Sequence, residues 1–174
     1  MQPRIPNIAG SHPDVLRALS ALSQAAQNDH VPQTTVYLLT LRASQINGCS
    51  VCVELHAREM RAAGESDERI FAVSAWRDAP YYTEAERAAL ALAEAATRMS
   101  DRSDPVPDDV WQEASRHYDE RALASLVISI AAINAWNRLN VTTRQPAGAW
   151  TQSPRADTAA SPSAQSREPA GSAV

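Results

Sequence analysis

Hydrophobic positions recur every three or four residues along most of the chain, a spacing typical of amphipathic α-helices. Convincing alternation of apolar and polar residues, which would indicate a half-buried strand, is missing. The pattern therefore predicts an all-α fold. It places seven helical segments at about residues 14–28, 33–46, 49–63, 68–76, 83–99, 108–118 and 120–141.

Residues with known preferences for helix ends support these boundaries. Ser11 is a candidate N-cap for the first helix, and Gly48 is a candidate stop for the second. Thr83 is followed three residues later by Glu86, the spacing of a capping box. Asp119 is placed to cap the last helix.

The composition changes near the C-terminus. Residues 122–133 are apolar nearly all round, so we expect this part of the last helix to be buried centrally or in a subunit interface, and it is too short to span a membrane. By contrast, residues 151–174 are mostly alanine, serine, proline and polar residues, which cannot bury enough apolar surface to offset their ordering entropy. We predict a helical domain over 1–147 and a disordered tail over 148–174.

Charge and composition exclude several classes of function. The 174 residues carry a net charge of −4, which argues against nucleic acid as a partner. All 16 basic residues are arginine, so lysine Schiff-base chemistry, lysine-anchored pyridoxal phosphate and a P-loop are excluded. The N-terminal segment lacks the pattern of a signal peptide, and the expected compartment is the cytoplasm.

The two cysteines and one histidine of the chain share a short stretch, Cys49-Ser50-Val51-Cys52-Val53-Glu54-Leu55-His56. On a helix these three side chains fall on one face. Cys49 would lie in the first turn, where the helix dipole stabilises a thiolate, and His56 is one turn beyond Cys52, within reach as a base. The spacing also lets the two sulfurs form a disulfide. We expect Cys52 to attack a peroxide and Cys49 to be the resolving thiol that an outside reductant can reach.

Two other interpretations of the same stretch stay open. Two inert, buried cysteines on a helix would produce the spacing without any chemistry. A zinc site is the other, because two thiolates and an imidazole are three of the usual four ligands. Its fourth ligand would be a carboxylate or one of His12, His30 and His117.

A wider comparison of motifs points to one family. Residues 41–56 and 62–65 resemble the core motif of the AhpD-like alkylhydroperoxidase family, which belongs to the carboxymuconolactone decarboxylase superfamily. The resemblance continues through 74–77, 83–94 and 133–138. It implies an all-helical AhpD-like fold, assembly into trimers or hexamers, and thiol-dependent reduction of peroxides.

The resemblance also implies roles for particular residues. Cys49 and Cys52 correspond to the family's cysteine pair, with the second of them, Cys52, as the attacking cysteine, and His56 corresponds to the family's histidine. The family pattern has a glutamate twelve residues before the first cysteine, in a proton relay with the histidine, but this chain has Tyr37 there. A phenol with a reference pKa of about 10 is a poor proton acceptor near neutral pH. Tyr37 either orients His56 or packs on the inward face of its helix, and Glu94 is a possible carboxylate from elsewhere.

The functional prediction is an AhpD-like thiol peroxidase. It reduces a hydroperoxide through a dithiol–disulfide cycle and is restored by an external dithiol or a protein reductant, with no metal or other cofactor. We expect a homo-oligomer with no membrane partner. The alternatives are an enzyme of the carboxymuconolactone decarboxylase type, which needs no redox-active dithiol, and a redox-sensing oligomeric module.

Overall fold

The computed structural model describes residues 2–6, 8–27 and 29–148. Within them the regular structure is helical, with eight α-helices and one short 3₁₀ segment, and the predicted all-α fold is confirmed. Almost all of the predicted tail lies outside the described residues. The helices are α1 (Ile8–Ser11), α2 (Pro13–Ala25), α3 (Gln33–Asn47), α4 (Ser50–Ala62), α5 (Asp67–Ala72), α6 (Glu84–Thr97), α7 (Asp108–His117) and α8 (Glu120–Thr143), and the 3₁₀ turn Val73–Ala75 follows α5.

Several predicted helix ends are confirmed by the side-chain hydrogen bonds that form them. Thr83 and Glu86 make the reciprocal capping box at the start of α6. The Asp119 carboxylate accepts the Ala122 N–H at 2.8 Å at the start of α8. Gly48 ends α3 with a φ of +69°, in the left-handed region that glycine adopts most readily.

The predicted N-cap of α2 is wrong. Ser11 belongs to the short helix α1, where its hydroxyl donates to the Ile8 carbonyl at 3.0 Å. His12 precedes α2 instead and makes no side-chain cap. The proline at position 13 lacks an N–H, so the first turn of α2 has one donor fewer to satisfy.

Helix α3 lies at the centre of the fold and packs against α4, α6 and α8, while α2 packs on α8. Its buried side chains include Val36, Leu39 and Ala43. Asparagines join α3 to α8, because the Asn47 amide donates to the side-chain oxygens of both Asn134 and Asn137 at 2.9 Å. These bonds satisfy polar groups within the apolar packing and fix the end of α3 that leads into the cysteine stretch.

Helix α8 is longer than the apolar run that marks it in the sequence. Its 24 residues are enough, by length and composition alone, to cross a membrane. However, 56% of its apolar window is buried inside the fold, as expected for a core helix. The opposite face of α8 leaves a stripe of apolar residues exposed, namely Ala124, Val127, Ile128 and Ala131.

Candidate active site

The cysteine stretch begins at the tight turn between α3 and α4. The left-handed Gly48 reverses the chain, and Cys49 becomes the N-cap of α4. The Cys49 sulfur accepts the backbone N–H of Cys52 at 3.4 Å, and the two cysteines form a disulfide with their Cα atoms 5.4 Å apart. The two sulfurs are therefore close enough to form the predicted disulfide. They lie at the start of a helix, where the helix dipole stabilises a thiolate.

Both sulfurs lie in the interior of the chain. Cys49 is 2% exposed and Cys52 is 4% exposed, and both pack against Ile133 of α8. Asn140, also on α8, donates its side-chain N–H to the Cys52 sulfur at 3.4 Å. Cys49 is buried in this disulfide conformation, and the expectation that an outside reductant reaches it stays a prediction.

Access to the disulfide is through a cavity of about 290 Å³ between α2, α3, α4 and α8. Its walls are mostly apolar, and Cys52 lines it whereas Cys49 does not. Among the described residues, two that line the cavity have a buried polar atom with no hydrogen-bond partner, namely Nε2 of His56 and the hydroxyl of Ser129. Unpaired buried polar atoms are costly, so their position in a cavity indicates a place for a water or a polar ligand group.

His56 is held by a residue of its own helix. Its Nδ1 lies 2.7 Å from Oε2 of Glu59, one turn further along α4. Because the carboxylate only accepts, Nδ1 donates its N–H to Glu59, and Nε2 is left without a hydrogen-bond partner among the described residues. The arrangement makes Nε2 available as a base.

Tyr37 lies on α3 and also lines the cavity. Burial raises the pKa of its phenol, the nearby charge of Glu59 raises it further, and the Gln33 amide acts in the opposite direction. A phenol with a raised pKa stays protonated at neutral pH, so Tyr37 is a hydrogen-bond donor rather than a base.

The structure thus brings Tyr37, Cys52 and His56 to one cavity and places Cys49 behind it, while their catalytic roles remain predictions. Glu59 was missed by the sequence reasoning. Its spacing of three residues after His56, which places both on one helix face, was the available signal.

Glu94 does not serve this site. Its buried carboxylate accepts hydrogen bonds from Arg42 Nε at 2.6 Å, from Trp76 Nε1 at 3.1 Å and from Arg77 Nη1 at 2.5 Å. Burial alone would raise its pKa, but these donors and the charge of Arg42 together lower it. Glu94 is therefore the centre of a structural ion cluster.

The described residues also bear on the zinc interpretation. Among residues 2–6, 8–27 and 29–148, no three His, Cys, Asp or Glu side chains are grouped so as to hold a metal ion.

Comparison with known proteins places this geometry in a family. The family model for the carboxymuconolactone decarboxylase family matches residues 13–95. The uncharacterized protein YdfG of Bacillus subtilis is 33% identical over 129 residues, which are 74% of this chain and 86% of that protein. The chain belongs to the carboxymuconolactone decarboxylase family. A second family relative, the uncharacterized protein YnjA of Escherichia coli, is 31% identical over 104 residues, 59% of this chain and 55% of that protein.

Solved structures place this family member in the AhpD-like fold. A protein of unknown function from Agrobacterium tumefaciens, suggested to be the antioxidant defence protein AhpD, is 36% identical with a TM-score of 0.78, over 84% of this chain and 98% of that one. The debrominase Bmp8 is 25% identical with a TM-score of 0.70, over 87% and 78% of the two chains. A peroxidase-related protein from Ralstonia eutropha shares the fold at 18% identity, with a TM-score of 0.69 over 85% and 78%.

Proposed function

We propose that this chain is a thiol-dependent peroxidase that reduces an organic hydroperoxide with electrons from an external dithiol. The observation that carries the proposal is the Cys49–Cys52 pair at a helix start, with Cys52 and His56 lining one mostly apolar cavity. The family supports an enzyme of the AhpD-like kind, and the similarity to the Agrobacterium protein supports a role in antioxidant defence.

The proposed cycle starts from the reduced pair. His56 takes the thiol proton of Cys52, and the thiolate attacks the outer peroxide oxygen, which gives a sulfenic acid and an alkoxide. The imidazolium returns the proton to the alkoxide and so releases an alcohol. The Cys49 thiol then condenses with the sulfenic acid, which forms the disulfide and releases water.

An external dithiol closes the cycle by thiol–disulfide exchange, so that one hydroperoxide and one dithiol yield an alcohol, water and a disulfide. Because Cys52 faces the cavity and Cys49 is covered, we propose that the reductant enters by the cavity and attacks the Cys52 sulfur first. Such a cycle suits the cytoplasm, where dithiols are kept reduced.

The same thiol pair supports a second candidate function, removal of a halogen from an aromatic ring. This candidate is favoured by the 25% identity to the debrominase Bmp8 and by the apolar cavity beside Cys52. Loss of the halogen as halide and gain of a proton by the ring consume the two electrons of one dithiol. Both reactions therefore leave the same disulfide and differ in the substrate they accept.

We also propose that the protein is a homo-oligomer, as the resemblance implies. The exposed stripe on α8 supports this, since Val127 is 40% exposed and Ile128 is 38% exposed on a helix that is otherwise central. Apolar faces of this kind commonly mark contacts between subunits.

A turnover assay tests the peroxidase proposal against the alternatives. Cumene hydroperoxide and a bromopyrrole are each incubated with the protein and an excess of a reduced dithiol, and alcohol or halide is counted per chain. Many alcohols per chain support the peroxidase, and many halides support the second candidate. One oxidation per chain without further turnover indicates a redox sensor. An activity that stays the same when the cysteines are oxidised indicates a decarboxylase-like enzyme.

A further inference from the structure

The His56 side chain has two ring nitrogens in different surroundings. Nδ1 is paired with the Glu59 carboxylate at 2.7 Å, and Nε2 is buried without a partner in the wall of the cavity. The pair is sheltered, since the side chain of His56 is 13% exposed and that of Glu59 is 35% exposed. A carboxylate at Nδ1 fixes the orientation of the ring and its tautomer, and it leaves Nε2 as the nitrogen that can accept a proton.

Few titratable groups face this pair. Along the described part of the cavity wall they are Tyr37 on α3 and Cys52, His56 and Glu59 on α4, while α2 and α8 contribute only neutral side chains. Glu59 is therefore the one carboxylate among these lining residues. Among these lining residues there is also no arginine that could compete with His56 for the Glu59 carboxylate.

Position 37 does not supply the carboxylate that the family pattern places there. Tyr37 is a phenol whose pKa is raised, and the carboxylate that accepts the hydrogen bond from His56 Nδ1 belongs to Glu59. The two positions lie close enough for the charge of Glu59 to act on Tyr37. A carboxylate at either position thus reaches the same region of the site.

We infer that Glu59 is the positioning residue for His56 in this chain and replaces the carboxylate missing at position 37. The inference rests on the proposed function, and it completes a Glu59–His56–Cys52 relay within two turns of α4. Glu59 takes no part in the proton transfer itself. The proton moves from the Cys52 sulfur to Nε2 of His56 and then to the alkoxide that leaves when the O–O bond breaks.

The first test is a titration of the reduced thiol, because it does not require turnover. In a Cys49→Ser background, where Cys52 is the only thiol, ultraviolet absorbance of the thiolate is followed against pH with and without Glu59→Gln. We expect Glu59→Gln to move the midpoint of thiolate formation to higher pH by about one unit or more. Without the carboxylate partner the imidazole of His56 would hold a proton less readily, so less imidazolium would be present to stabilise the Cys52 thiolate.

Glu54→Gln in the same background is the matched control. Glu54 lies on the same helix but pairs with Arg58 and accepts the Gly148 N–H, away from the cavity. Its substitution is expected to leave the titration unchanged. A Glu59→Gln curve that coincides with the parent and the Glu54→Gln curves would overturn the inference.

The second test is the pH profile of peroxide reduction in the otherwise native chain. Glu59→Gln is expected to lower kcat/KM about 10- to 100-fold at neutral pH, with the loss shrinking as the thiol ionises unaided at high pH. If the native chain turns over but the variant keeps its profile, the inference fails alone. If nothing turns over yet the thiol titration moves, the peroxidase proposal fails and the relay stands.

Tyr37→Glu provides an independent check. Because Nδ1 of His56 already has a carboxylate partner, a second carboxylate beside Glu59 adds repulsion rather than a new function, and we expect at most about a threefold gain in kcat/KM. A gain of about tenfold or more would mean that the relay is incomplete in the native chain and would overturn the role given to Glu59.

Discussion

The buried carboxylate of Glu94 on α6 holds two segments that are distant from it in the sequence. It binds Arg42 from α3, Trp76 from the turn after α5, and Arg77 beside it. The side chain of Arg42 is 11% exposed and that of Glu94 is 5% exposed, whereas the side chain of Arg77 is 60% exposed. Glu94→Gln keeps the shape of the side chain and removes its charge.

The expected loss of stability follows from which partner stays buried. The glutamine of Glu94→Gln can still accept a hydrogen bond, but the buried Arg42 guanidinium loses its ion pair and faces only neutral acceptors among the contacts described, such as the Gln45 amide oxygen at 3.4 Å. Arg77 is exposed enough to be hydrated by water. Breaking a buried ion pair costs about 3–5 kcal/mol, and hydration of Arg77 puts the loss near the lower end, about 3 kcal/mol. For a chain of this size such a loss lowers Tm by about 6–12 °C.

Urea unfolding followed by circular dichroism measures this loss directly. Glu54→Gln is the control, because the Glu54–Arg58 pair is on the surface and its loss should cost less than about 1 kcal/mol. The pH dependence adds a second check. The lowered pKa of Glu94 means that its contribution is complete above the ordinary value of 4.5 and is lost as the pH falls through the lower folded-state pKa. A Glu94→Gln loss no larger than that of the control would refute the reasoning.

Three further substitutions probe other parts of the account. Gly48→Ala places a side chain at a φ of +69°, where nothing lies close enough to clash with it. Because an L-residue is strained at this φ, urea unfolding should show a loss of about 1 kcal/mol in the free energy of unfolding. An unchanged urea midpoint would contradict the requirement for glycine. Asn140→Leu removes the donor to the Cys52 sulfur and should move the thiolate titration to higher pH by about one unit, whereas an unmoved curve would show that the bond does not favour the thiolate. Val127→Glu should lower the molar mass that light scattering gives for the proposed homo-oligomer, and an unchanged mass would contradict a contact through this face of α8.

Local chemistry explains why much of the fold was predictable from the sequence. The capping box at Thr83 and the cap at Asp119 are decided by residues within one turn, and both are confirmed. Helix ends that no such local hydrogen bond determines are harder to predict from the sequence. The N-cap predicted at Ser11 is wrong because this residue belongs to the short preceding helix α1. One face of the apolar middle of α8 is buried as expected, whereas Ala124, Val127, Ile128 and Ala131 on the other face are exposed.

The site was predictable only as far as its residues lie on one helix. Cys49, Cys52 and His56 follow from spacing, but the cover that α8 places over Cys49 depends on tertiary packing that no local pattern encodes. The partner of His56 was readable in principle, since Glu59 is three residues away, yet many such pairs are solvent-exposed and have no function. The fate of Glu94 depended on arginines far away in the chain.

In the proposed cycle the Cys52 sulfur attacks the peroxide, and the Cys49 sulfur then condenses with the sulfenic acid on Cys52. Mass spectrometry after one equivalent of cumene hydroperoxide, with a reagent that traps sulfenic acids, tests this division in two variants. Cys49→Ser is expected to release one alcohol and to carry the trapped adduct on Cys52, and Cys52→Ser is expected to release none. Alcohol release by Cys52→Ser at the native rate, or an adduct confined to Cys49, would contradict the account.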